Sequence, residues 1–542
     1  MKFNSLFITG LALFSGQLYA QKATPGRPNI LLIMADDMGY SDLGCYGSEI
    51  QTPNLDQLAA TGVRFTQFYN CARCCPTRAS LLTGQYPHKA GIDGMGVNMN
   101  RSSATIAEIL KENGYHTGMT GKWHLSLTKA LDDPKEHLRW LAHQSDHGPF
   151  SPLENYPSNR GFEEHFGVIW GVVNYFDPFS LVHNEEPIKE VPDDFYMTDF
   201  VTQKSLDLID QFTEDENPFF LYVAHTAPHW PLMARPEDIA KYKDRYKAGW
   251  DVLRKERFER MIKMGLLDPK TAILPENSSG KSWEACTEKD KEAANMSVHA
   301  AMIDRLDQGV GLIVQKLKDK GIYDNTLILF LSDNGASYER GYPPGFDRPG
   351  FTRNSTPIEY NSDYPGSETT WNYLGTAWAS AVNSPFRYWK MESYEGGICT
   401  PFIAHWPDGF KSKKNEINRG VGHVIDVLPT CLNLAGATYP DEINGFKTEK
   451  PDGVDLMPLI LRETKSVHDT VYWEHQGGKA IRVGDWKMSA LNKSEWELFN
   501  LKKDRDENTN IASQYPDKVK EMNAAWERWA VQMHIGKKKK NL

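Results

Sequence analysis

Apolar residues along this chain gather in short unbroken runs, each closed by polar residues rich in Asp, Asn or His. Asn29–Met34 (NILLIM) is the first, and Ala35-Asp36-Asp37 ends it. Pro218–Ala224 (PFFLYVA) runs into His225 and His229, and Thr326–Leu331 (TLILFL) ends at Ser332-Asp333-Asn334-Gly335. Thr400–His405 is a fourth such run, and Val63–Tyr69 alternates in the manner of a half-buried strand. A strand covered on both faces needs apolar side chains at every position, so the unbroken runs predict central strands of a parallel sheet. Between them lie helical patterns. Leu55–Ala60 follows Pro53-Asn54, and Thr105–Glu112 is stopped by Asn113-Gly114. Ser297–Lys320 carries Val298, Met302, Leu306, Val310, Ile313 and Leu317 on one stripe, with Gly321 as its stop. Strands alternating with helices predict an α/β fold: one large, mostly parallel sheet with helices on both faces. Ligands bind such sheets beyond the carboxyl ends of the strands, which is where the polar residues collect here.

The pattern changes near Asp452–Thr470. Val471–Glu474, Lys479–Arg482, Trp486–Ser489 and Trp496–Leu501 are short runs separated by turn residues, which predicts a small antiparallel sheet. Pro516–Val531 then predicts a helix with Val519, Met522, Trp526 and Trp529 inward. The expected division is a large α/β domain over 28–465 and an antiparallel-sheet subdomain with a terminal helix over 466–542.

Charge and composition narrow the picture. A net charge of −10 over 542 residues gives no support to nucleic-acid binding, and Lys537–Lys540 reads as a solvated tail. At the start, Lys2, the apolar Leu6–Phe14 and the small residue in Leu18-Tyr19-Ala20 form the pattern of a signal peptide over 1–20. That run is too short to span a bilayer, and no other segment reaches about 18 unbroken apolar residues, so no membrane anchor is expected. The chain therefore reads as exported, periplasmic or secreted. Long loops at Leu125–Arg160 and Ala336–Asn383 are where specificity is expected. Trp371, Tyr373 and Trp378 in the second could stack on a sugar ring or simply pack the loop.

Seven cysteines are an odd number, and three of them, Cys71, Cys74 and Cys75, fall within five residues. A structural zinc site would need a second ligand pair at matching spacing, and the segment contains no His. A disulfide from Cys71 or Cys75 stays open. Neither reading accounts for the residues that follow: Cys74-Cys75-Pro76-Thr77-Arg78 and then Leu82-Thr83-Gly84. This run resembles the signature of the formylglycine-dependent (type I) sulfatases of the alkaline phosphatase superfamily. Ala35-Asp36-Asp37-Met38-Gly39-Tyr40 upstream strengthens the match.

The resemblance implies that a maturation enzyme oxidises Cys74 to an aldehyde. Hydrated, the aldehyde offers two hydroxyls on one carbon: one attacks sulfur, and the other later collapses to expel sulfate, which splits one hard step into two. It implies a divalent cation, Ca²⁺ with Mg²⁺ as the alternative, bound by Asp36, Asp37, Asp333, Asn334 and residue 74. An all-oxygen set of that kind suits hard cations better than zinc. Gly121-Lys122-Trp123-His124 resembles a family segment in which Lys122 supports residue 74 and sulfate while His124 takes the proton as the aldehyde reforms. Thr226-Ala227-Pro228-His229-Trp230-Pro231 implies that His229 contacts sulfate, with His225 as its rival. Ser384–Lys390 followed by Glu395-Gly396-Gly397 implies a sulfate-binding Lys390, with Arg387 close by. Arg78 would hold the aldehyde hydrate. The function implied is hydrolysis of sulfate monoesters, with a sulfated glycan or small molecule as substrate. A phosphonate or phosphodiester hydrolase of the same superfamily, or an inactive glycan-binding relative, is the alternative.

Overall fold

Strand β1 (Asn29–Ala35) is buried at all seven positions, as its unbroken apolar run requires. It lies in the middle of a ten-stranded sheet in the computed structural model, which describes residues 26–340, 345, 348–410 and 415–536. The leader reading over 1–20 and the lysine tail at 537–540 fall outside the described residues. The remaining strands are β2 (Val63–Phe65), β3 (His116–Lys122), β4 (Glu164–Val168), β5 (Leu181–His183), β6 (Glu186–Pro187), β7 (Phe219–Ala224), β8 (Thr326–Ser332), β9 (Phe402–His405) and β10 (Glu416–Asn418). Their spatial order is β10-β2-β9-β8-β1-β7-β3-β4-β5-β6. The five central strands β8, β1, β7, β3 and β4 are mutually parallel.

Alternate side chains of β1 feed two cores. Leu31, Ile33 and Ala35 pack with helices α1 (Pro53–Thr61), α4 (Met197–Phe212) and α5 (Lys289–Asp319) through residues such as Leu58, Leu208, Met302 and Leu306. Ile30, Leu32 and Met34 pack on the other face against α2 (Cys74–Thr83), α3 (Ile106–Glu112) and α6 (Val427–Ala435). Each Leu, Ile or Met among them contributes roughly 1.5–3 kcal/mol by leaving water. The sheet therefore has helices on both faces, and α3 begins with the capping box Thr105–Glu108.

Three local readings are corrected. Val63–Tyr69 is two strands, because only Val63–Phe65 pairs with β9. Phe68–Tyr69 pairs instead with Gly422–His423, with the Phe68 ring stacked on Phe402 at 3.8 Å. The run at Thr400–His405 is a strand, but antiparallel to β8. Helix α5 starts eight residues before Ser297: Asp290 and Glu292 suit its N-terminal dipole, and its inward residues there are as small as Ala293.

At the C-terminus, β11 (Thr470–His475), β12 (Gly478–Val483), β13 (Trp486–Ala490) and β14 (Glu497–Asn500) form an antiparallel meander, and α7 (Pro516–Gln532) packs Met522 and Trp526 against it. Among the described residues no helix is long and apolar enough to cross a membrane.

Candidate active site

The sheet order alone brings the chemistry together. Because β8, β1, β7 and β3 are adjacent and parallel, their carboxyl ends deliver Asp333-Asn334, Asp36-Asp37, His225 with His229, and Lys122 with His124 to one edge. Ala35 is in register with Ser332, so the two acidic pairs emerge side by side. Asp37 N donates to Asp333 Oδ1 at 3.1 Å, and Asn334 Nδ2 donates to Asp37 Oδ1 at 2.6 Å.

Onto this edge comes the buried helix α2, with Cys74 as its first residue and no side-chain cap or acidic residue in its first turn. Its free amides give that end a partial positive charge, a setting that favours anions and thiolates. The Cys75 thiol beside it, with Lys122 and His124, holds the Cys74 thiol well below its ordinary range despite burial. All seven cysteines carry free thiols, so the disulfide left open for Cys71 or Cys75 does not form here.

Basic groups then divide into two layers. Beneath, Lys122 Nζ lies 2.6 Å from Asp36 Oδ2, and Arg78 Nη2 lies 3.0 Å from Asp333 Oδ2 and 3.6 Å from Asp36 Oδ2, all fully buried. Arg78 thus aims its guanidinium at the carboxylates, and its Nη1 donates to the Lys122 carbonyl. Above, Lys390 Nζ is 3.0 Å from Asp37 Oδ1, 2.8 Å from Glu339 Oε2 and 3.4 Å from His229 Nε2. Cys74, His124, His229 and Lys390 line a cavity of about 410 Å³, together with Arg73, Met95, Thr128, Trp170, Trp230, Glu339 and Arg348.

Electrostatics explain the layering. Burial alone would raise the Asp36 carboxyl, but Lys122, His229 and Arg78 hold it well below the usual carboxylate range. Burial and the adjacent Asp36 push Asp333 well up. Burial pulls His124 down to about 4, with Cys74 countering in part, so its imidazole is neutral near pH 7. Burial also lowers His229, against the pull of Asp37.

The oxygen donors fit a hard divalent cation. Asp36 Oδ1 and Asn334 Oδ1 are buried with no hydrogen-bond partner, an arrangement that costs about 1–3 kcal/mol per group unless a ligand satisfies it. A cation there would also let Asp36 and Asp333 ionise together. Asp36, Asp37 and His229 bring ligand atoms within 4.8 Å of one another.

Backbone shape fixes the segments. Asp37, Ala72, His124 and Met391 all adopt left-handed φ of 62–78°, unusual for residues with a Cβ. A Cβ at Gly121 would lie 1.9 Å from the Ala224 carbonyl oxygen, so only glycine lets β3 approach β7 just before Lys122. At Gly335 a Cβ would lie 1.8 Å from the Gly396 carbonyl oxygen, which packs the Asp333-Asn334 loop against the segment carrying Lys390. That segment is tied further by Lys390 N to Ala336 O and Met391 N to Ala72 O.

All ten residues singled out in the sequence converge. Of the two rivals, His225 is buried with neither ring nitrogen hydrogen-bonded, and Arg387 turns away to the Glu507 carbonyl and Glu497. Two residues escaped the sequence reading: Glu339 and Arg73, which pair at 3.0 Å on the cavity wall. Neither has a local signal, since each acquires its meaning from a partner 266 positions away. Of the two readings of the loop aromatics, packing holds for Trp371 and Trp378. Trp371 and Trp378 are fully buried, Trp378 packing with Trp250 and Trp283. Neither they nor Tyr373 are among the cavity residues, whose aromatic faces come from Trp170 and Trp230.

Known proteins agree with this architecture. The sulfatase family profile matches residues 28–437, and the profile described as "N-sulphoglucosamine sulphohydrolase, C-terminal" matches 387–532. An uncharacterized sulfatase of Schizosaccharomyces pombe is 35% identical over 94% of this chain and 94% of its own length. The arylsulfatase of Klebsiella aerogenes is 32% identical, covering 81% of this chain and 92% of that protein. The crystal structure of Ps i-CgsB in complex with k-i-k-neocarrahexaose superposes with a TM-score of 0.65 at 26% identity, covering 93% of both chains. A profile spanning most of the chain, relatives matched nearly end to end and a shared fold leave one assignment: this chain belongs to the sulfatase family and is an enzyme of sulfate-ester hydrolysis.

Proposed function

We propose that the chain releases sulfate from a sulfated glycan by covalent catalysis at residue 74, in the aldehyde form made from Cys74 by a maturation enzyme. The observation that carries this reading is the setting of Cys74. Its side chain opens a buried helix, faces the cavity, and stands beside His124 and Lys390, above four oxygen donors of which two are orphaned. A structural cysteine needs none of these surroundings.

Asp36, Asp37, Asp333 and Asn334 would hold the cation, and Ca²⁺ is preferred because carboxylate and amide oxygens on two loops suit a flexible oxygen shell. When bound, that ion would neutralise charge on residue 74 and the sulfate. The chain's own groups divide the remaining work. Lys122 and Arg78 hold Asp36 in its ionised form and fix Asp36 and Asp333 in place. Lys390 and His229 face the cavity as cationic or hydrogen-bonding partners for sulfate oxygens, stabilising charge that grows as the ester bond breaks. His124, neutral near pH 7, can accept the proton released when the aldehyde re-forms. Trp170 and Trp230 offer flat apolar faces to a sugar ring beyond the sulfate. The complex of Ps i-CgsB with k-i-k-neocarrahexaose supports a carbohydrate ligand for a relative of this shape.

Two measurements test the reading. Mass spectrometry of the peptide spanning residue 74 should find sulfur replaced by oxygen as an aldehyde; an unmodified thiol in fully active enzyme would overturn the mechanism. Assays on sulfated mono- and oligosaccharides, an aryl sulfate and an aryl phosphodiester should show turnover of a sulfated sugar. Hydrolysis of the aryl sulfate alone would remove the glycan assignment. We further propose export, resting on Lys2, the Leu6–Phe14 run and Ala20; N-terminal sequencing of secreted protein should begin at Gln21.

A further inference from the structure

Cys75 and Met95 take no part in the chemistry above, yet with two residues that do they complete a second constellation. One ligand atom from each of Cys74, Cys75 and His124 lies within 4.8 Å of the others. Cys75 Sγ is 3.3 Å from Met95 Sδ. The sequence segment around the cysteines contains no histidine; β3 and the strained turn after it supply one from 49 positions further on. Two donors that each bind one zinc ion at about 2.3 Å stand roughly 3.8 Å apart in a tetrahedron, so small side-chain rotations would close this group on an ion. Cys74, Met95 and His124 all line the 410 Å³ cavity, which gives an ion a way in.

We propose that the chain, while residue 74 is still a cysteine, binds one thiophilic d¹⁰ cation, Cu⁺ or Zn²⁺, through Cys74 Sγ, Cys75 Sγ and a ring nitrogen of His124, with Met95 Sδ as a further donor to Cu⁺. Two thiolates, an imidazole and a thioether form a soft set, whereas the Asp36–Asp37–Asp333–Asn334 set beneath is hard. The two sets sort ions by chemistry, so Ca²⁺ does not compete for the thiols. On binding, the thiol protons pass to solvent and no other bond changes. Oxidation of Cys74 to an aldehyde removes one of the two sulfur ligands, so ion capture and activation exclude each other. A chain that meets Cu⁺ or Zn²⁺ before conversion is trapped as a folded, inactive form. The binding does not depend on the aldehyde mechanism, because it requires only the thiols.

The test uses the full chain produced without the maturation enzyme, with thiol at residue 74 verified by peptide mass, reduced and kept free of oxygen. Zn²⁺ and Cu⁺ are titrated against chromophoric chelators, and Co²⁺ serves as a spectroscopic substitute for Zn²⁺. The expected result is one ion per chain, with the intense visible bands of tetrahedral thiolate-bound Co²⁺. Cys75→Ser should weaken binding by more than the ~10–100-fold typical of losing a supporting contact, and the converted wild-type enzyme should show a loss of similar size. Turnover by Cys75→Ser co-produced with the maturation enzyme shows that this variant folds. Wild-type affinity in Cys75→Ser, or no ion bound against the chelators, overturns the proposal.

Discussion

Two clusters of buried charge flank the segment that carries Lys390, and they are finished differently. In the C-terminal cluster Lys487 Nζ lies 2.8 Å from both Glu395 Oε1 and Glu507 Oε1. Arg505 also pairs with Glu395, and Tyr69 OH donates to Glu395 Oε2 at 3.0 Å while accepting from Arg482. Every carboxylate oxygen of Glu395 and Glu507 has a partner. The strand-tip cluster has the same ingredients but leaves Asp36 Oδ1 and Asn334 Oδ1 orphaned and opens through Lys390, His229 and Cys74 into a cavity. A buried network that satisfies itself is a clamp; one left incomplete by its own side chains is built around something else. The clamp also serves the open cluster. Glu395 N donates to Glu507 and Gly335 N to the Gly397 carbonyl, so the segment carrying Lys390 is held between the C-terminal sheet and the Asp333 loop.

The largest effect is expected from Cys74→Ala, which should lower turnover of an aryl sulfate by at least ~10⁴-fold while leaving circular dichroism unchanged, since it deletes the proposed nucleophile and with it the covalent route. Lys487→Met strikes the clamp instead. It leaves Glu395 and Glu507 short of a cation and should cost about 3–5 kcal/mol in denaturant unfolding, with kcat of the folded enzyme changed only a few-fold. Lys390→Ala should show the reverse balance, a loss of roughly 10²–10³ in kcat from a missing electrostatic partner. If the two lysine variants behave alike, the distinction between clamp and open site fails.

Burial pulls His165, His225 and His423 down to about 3 each. Unfolded imidazoles protonate near 6.5, so between about 6.5 and 3 the unfolded chain binds more protons than the folded one. Stability should be full above that window and fall as pH drops through it, which urea unfolding at pH 7.5, 6 and 5 would follow. His124, at about 4, should place the acid limb of kcat well below the ordinary histidine range.

Much of the site was legible because its residues follow features with strong local signals. Asp36-Asp37 and Asp333-Asn334 directly succeed strands whose apolar runs are unmistakable, and two parallel neighbours in register must bring their ends together. Lys122 and His124 were found through the Gly121-Lys122-Trp123-His124 resemblance, since β3 itself (HTGMTGK) has no apolar run. What failed to show was everything decided by a distant partner. Glu339 looks like any loop carboxylate until Arg73 and Lys390 meet it. Trp371 and Trp378 occupy a loop in sequence, yet their loop folds back onto Tyr360, Trp250 and Trp283 and buries them. Val63–Tyr69 reads as one strand because alternation carries no record of which neighbour each half will pair with.

The most direct test of the open cluster is a count of bound ions by equilibrium dialysis against Ca²⁺ and Mg²⁺, on the wild type, Asp36→Ala and Lys487→Met. One divalent ion per chain is expected in the wild type and in folded Lys487→Met, and none in Asp36→Ala. No ion in the wild type, or equal binding by Asp36→Ala, would contradict the reading of those orphaned oxygens as ligands.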